Sequence, residues 1–232
     1  MQPQPYSVEY KVTSVQTLAN GTKITRETRE AQARASNGDQ MSSNSMAQEL
    51  GAHLETVENV YVKIAEDDSS LQWNTQTKVA TRLVMLPRDQ RTGCWADEQG
   101  NRRMTFNFPQ PSANATQAAL LRQKYVEPEM KTEDLGEDMI EGLKAHGSRT
   151  TTTIPAGAIG NDKPLVSTQE LWMAMDFPGL MLRMVADNPR FGKNTREVTN
   201  LKLGEPDPAQ FEPPQGYTVK TIELHQVPCE TK

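Results

Sequence analysis

The sequence is poor in the residues that fill a core. Leu, Ile, Val and Phe number 17, 6, 14 and 5 in 232 residues, about 18%, which is below the roughly 20% that marks disordered chains when net charge is also high. The net charge here is only −5, so a folded chain with a thin core is expected. Its length predicts a single domain, residues 1–232, burying about three-quarters of its surface on folding. No apolar run approaches 18 residues, which excludes a membrane-spanning helix. The absence of a basic excess argues against nucleic acid and anionic membrane surfaces as main partners. Two cysteines, Cys94 and Cys229, are too few for a metal motif, and both a disulfide and two separate thiols fit their spacing. Met1-Gln2-Pro3-Gln4-Pro5 has neither a basic n-region nor an apolar h-region. No signal peptide is therefore expected on this chain, and a mature exported domain would begin in the same way.

Catalytic motifs are also missing. There is no G-x-S-x-G elbow, H-E-x-x-H helix, P-loop, dinucleotide fingerprint or C-x-x-C pair, and no cofactor is implied. Asp67-Asp68 and the acidic stretch from Glu127 to Glu141 lack the spacing of a Ca²⁺ loop, and read as solvated charged edges. The three histidines, His53, His146 and His225, are dispersed and have no catalytic partner nearby in sequence.

What is abundant is Thr, at 23 residues, with 11 Met, a composition suited to strands with one wet face. Tyr6, Val8, Tyr10 and Val12 alternate with polar residues, the period of a half-buried strand. Asn20-Gly21 is a type I′ turn pair leading into a polar strand over 23–36, and Asn37-Gly38 marks a second turn. Residues 39–56 read as a Ser-, Asn- and Gln-rich loop with one helical turn near 46–54. Three short strands follow at 60–64, 71–74 and 79–86. The prolines and glycines of 87–130 suggest an insertion or arm, with Ser112 capping a helix over 113–125. Beyond it, strands are expected at 135–154, bent around Glu141-Gly142, at 165–174, and in a hairpin of 180–187 with 195–203. Breakers such as Pro155, Gly157, Gly160 and Pro164 mark a plain connection between strands. Asp207 is placed to cap a short turn that returns Phe211 and Tyr217 toward Trp172.

The few aromatics fall mostly on strands or at their ends. Tyr10, Trp73 and Trp172, with Met184, form the candidate ligand-binding set, and a core-filling role is the competing reading. The methionines Met173, Met175, Met181 and Met184 pose the same choice between an adaptable binding surface and gap-filling.

The run from Gly147 through Asn161, Glu170-Leu171-Trp172, Asn188-Pro189-Arg190-Phe191-Gly192, Val198-Thr199-Asn200, Glu205-Pro206-Asp207-Pro208 and the segment from Phe211 to Tyr217 resembles a group of uncharacterised exported proteins common in soil acidobacteria. More remotely, the Trp-bearing strand, the Pro-Arg-x-Gly hairpin and the closing segment look like the end of the lipoprotein-carrier (LolA/LolB-like) half-barrel superfamily. The closer likeness covers roughly the last 90 residues well and the N-terminal hairpin loosely. It implies an α+β fold, a strongly curved antiparallel sheet of the half-barrel type with one or two helices on its concave side, and a periplasmic or extracellular location. The function it implies is non-catalytic binding of a lipid or other apolar or amphipathic molecule, or of a protein partner, in the concavity. Because that superfamily includes an enzyme, a small-molecule enzyme using His146, Glu170 or Arg183 is the alternative, and an adhesive surface protein pairing through an exposed strand edge is a third reading.

Overall fold

The structure, a computed structural model, describes residues 4–50, 53–86, 94–100, 102–104 and 127–228. The strands are β1 Tyr6–Thr17, β2 Lys23–Arg34, β3 Gln40–Leu50, β4 His53–Lys63, β5 Ser70–Asn74, β6 Val79–Val84, β7 Cys94–Ala96, β8 Arg102–Met104, β9 Glu129–Ile140, β10 Leu143–Ile154, β11 Leu165–Ala174, β12 Met181–Asn188, β13 Gly192–Leu203, β14 Thr218–Glu223 and β15 His225–Val227. Twelve of them hydrogen-bond in the order β14-β6-β5-β4-β3-β2-β1-β13-β12-β11-β10-β9, and β15-β7-β8 form a second sheet.

This corrects the α+β expectation. Among the described residues there is no α-helix on any face of the sheet, and the one helical element is a 3-10 turn, Pro208–Phe211. The helical turn foreseen near 46–54 is overturned by β3 and β4, which pair antiparallel from Gln40↔Lys63 to Leu50↔His53. Ser, Asn and Gln have weak strand preference, but a long ladder to a neighbour outweighs it. The helix expected over 113–125 lies outside the described residues. The sheet is not purely antiparallel either: β14 pairs parallel with β6, Thr218↔Val79 through Glu223↔Val84. The chain reaches β14 through the Pro-rich 3-10 segment, not a hairpin, so an antiparallel approach is not imposed.

Turn chemistry sets the hairpins. Glu141 and Gly142 both have positive φ, 49° and 77°, the requirement of the two-residue turn that joins β9 to β10. At Asn20-Gly21 only the glycine is left-handed, and Leu18 N–H to Thr22 O closes a longer loop than the type I′ turn expected there. The β12–β13 connection is also tighter than the expected 188–194, with Asn188 opposite Gly192.

Two compact units partition the chain, and the division falls within β1, β2 and β13. The first comprises 1–7, 31–112 and 202–232. Its core gathers Ala33, Ala35, Val62, Leu71, Trp73, Ala80 and Phe211, with Val60 and Tyr217 packed against it. Asp207 accepts the Ala209 N–H at 2.9 Å and caps the turn that delivers Phe211. Phe211 and Tyr217 therefore return to Trp73, not to Trp172 as the sequence suggested. In the same unit Cys94 is disulfide-bonded, the chain's one other cysteine is Cys229, and β15 lies against β7 with Val227 opposite Cys94.

The second unit comprises 8–30 and 113–201. Val8 and Tyr10 are buried as the alternation predicts, with Leu180, Leu182, Ala145 and Val198. The rest of its strand surface is largely half-buried or exposed, the thin core that the composition implied.

Candidate functional site

The site is built on β11, β12 and β13 of the second unit. Leu171 is opposite Met184 and Met173 is opposite Met181. Cross-strand partners share a face, and residues two apart on a strand share one as well. Leu171, Met173, Met181 and Met184 therefore lie on one face, and all four are half-buried. A register shift at Trp172/Met173 leaves Leu182 as the extra residue, and its side chain is fully buried. Gln169 Nε2 stands 3.5 Å from Met184 Sδ on the same face.

The row continues to a largely covered charge. Arg196 on β13 is the partner of Met184, and its guanidinium carbon lies 3.7 Å from the centroid of the Tyr10 ring on β1. Its Nε reaches past that ring to Glu30 Oε2 on β2 at 2.8 Å. The Arg196 side chain is only 13% exposed and that of Glu30 33%. Tyr10, fully buried, donates its hydroxyl to the Met181 carbonyl at 2.8 Å. Cation–π contact and ion pair together hold the guanidinium over the Tyr10 ring, on the β1 side of β13.

The opposite face has a different chemistry. The Trp172 ring lies flat over Gly147, its strand partner, so close that an added Cβ would sit 2.7 Å from ring carbons. Arg183, opposite Trp172, pairs with Glu197 at 3.5 Å. Arg149 donates from Nε to Glu170 at 3.0 Å and lies 3.8 Å from Glu133. The hydrogen bonds and charge of Glu170 raise the pKa of Arg149 above its usual range.

Of the four candidate residues, the structure brings together Tyr10 and Met184 through Arg196. Trp172 projects from the other face of β11, and Trp73 belongs to the core of the first unit. The polar groups of the enzyme alternative do not converge: Glu170 is held by Arg149, Arg183 by Glu197, and His146 stands 3.3 Å from Asp134. Sequence reasoning missed Arg196, Glu30 and Leu171. A signal for Arg196 was present, since it shares its alternation phase with the buried Val198 two residues on.

No protein-family model and no curated protein matches the chain. Among solved structures it is similar to LprF from Mycobacterium bovis, 14% identical, covering 88% of this chain and 90% of that one at a TM-score of 0.33. It is similar to the Mycobacterium tuberculosis lipoprotein LppX, 14% identical, covering 87% of each at 0.27. A putative outer membrane lipoprotein-sorting protein domain from Vibrio parahaemolyticus is 9% identical, covering 90% and 89% at 0.29. At these TM-scores the functional reading rests on the geometry of the chain itself.

Proposed function

We propose that this is a non-catalytic protein of the bacterial envelope or exterior that binds an apolar or amphipathic molecule on the Leu171/Met184 face of its second unit. The observation that carries the reading is that four apolar side chains from two neighbouring strands share one face and stay half-exposed, although the chain has few such residues to spare for its core. Unbranched methionine side chains adapt to ligands of irregular shape. A face of this kind, bordered by a few fixed polar groups, has the character of a lipid or small-molecule site. The disulfide at Cys94 supports an oxidising compartment.

Native mass spectrometry of the protein purified from cells, under conditions that retain bound molecules, tests the reading. The expected result is an added mass that extracts into organic solvent and is reduced in a Leu171→Asp, Met184→Asp variant that remains folded. An unliganded wild type that also binds no added amphiphile would contradict it.

A further inference from the structure

The ligand's polar end is legible from Arg196. A guanidinium offers five N–H donors in a planar fork. Here the guanidinium carbon lies over the Tyr10 ring and Nε stands 2.8 Å from an oxygen of Glu30, the one carboxylate paired with Arg196 among the described residues. A single carboxylate takes at most two of the five donors, so the fork has capacity for a second anion. The side chain is almost withdrawn from water, where a charge-assisted hydrogen bond is stronger than at an exposed site. Its cross-strand neighbour is Met184, the start of the apolar face. The residue that carries this cation is thus the cross-strand neighbour of the apolar surface, with its guanidinium one strand over, on Tyr10.

The geometry points to an anionic head group as what Arg196 reads. The ligand is a single-chain amphiphile whose carboxylate or phosphate takes the terminal nitrogens of Arg196 while its chain lies over Leu171, Met173, Met181 and Met184. This inference rests on the apolar face being the binding site. It assigns Glu30 an opposing role: its half-exposed carboxylate competes with the ligand for the guanidinium and holds the fork in place when no ligand is bound. Removing Arg196 and removing Glu30 should therefore act in opposite directions on one class of ligand, a pattern that a purely structural ion pair does not produce.

The test is calorimetric titration of the full, disulfide-intact chain with dodecanoate, dodecanol and dodecyltrimethylammonium, each kept monomeric. Wild type is expected to bind dodecanoate at least about tenfold more tightly than the other two, the scale of one charge-assisted hydrogen bond. Glu30→Gln should tighten dodecanoate binding and leave dodecanol unchanged. Arg196→Gln should bind all three alike, and Arg196→Lys, a point charge without the fork, should keep only part of the preference. The wild-type comparison and Glu30→Gln decide the matter even if Arg196→Gln fails to fold. Equal affinities for the three probes in wild type would overturn the inference while leaving the apolar site standing. Binding of none of them would overturn the site itself.

Discussion

Gly147 and Trp172 show how one position can decide a local structure. The indole lies where a Cβ on residue 147 would have to be, so only glycine permits the flat contact. Gly147→Ala should destabilise the protein by about 1–3 kcal/mol through overpacking. In urea titrations the double variant with Trp172→Ala should lose less than the sum of the two single changes, because the clash disappears with the ring. Tyr10→Phe should cost about 1 kcal/mol, the scale of its hydroxyl bond to Met181, with the ring contact to Arg196 retained. At this scale the burial of Val8 and Tyr10 was legible from strict alternation. The site was legible only in part. A sequence shows that Met181 and Met184 are near each other, but not that a bulge at Leu182 puts both on the face of Leu171. Nor does local pattern show that Arg196 crosses one strand to reach Glu30 on the next.

At the scale of elements, strands with sharp turns could be read directly. β9 and β10 meet at Glu141-Gly142, and β11 falls at 165–174 as its pattern indicates. β3 could not be read, because its ladder to β4, not its own composition, makes it a strand. The parallel β14 was equally hidden, since local pattern is silent on strand direction. The return of Phe211 and Tyr217 to Trp73 moves their expected packing partner from one tryptophan to another. Trp73 is 8% exposed and Phe211 7%, so Trp73→Ala should cost about 3–5 kcal/mol by transfer and cavity terms. The half-buried Trp172 should cost clearly less when replaced by alanine. Equilibrium urea unfolding of the two variants checks the order, and an equal or larger loss at Trp172 would contradict this assignment of the core.

For the whole molecule, composition foretold a thin core, and Cys94 is disulfide-bonded. In the chain-entropy model, a bond from Cys94 to the chain's other cysteine, 135 residues on, would contribute about 5 kcal/mol. A Cys94→Ser variant, or wild type under reductant, should unfold at markedly lower urea, while an unchanged midpoint would remove the disulfide from the account. Ligand binding on the Leu171/Met184 face is read by methionine oxidation followed residue by residue, with and without saturating dodecanoate. Met173, Met181 and Met184 should become protected when the ligand is present. Met130 and Met139, 72% and 59% exposed on β9, should oxidise at the same rate in both samples. Unchanged oxidation of the three face methionines in the presence of bound ligand would contradict the account.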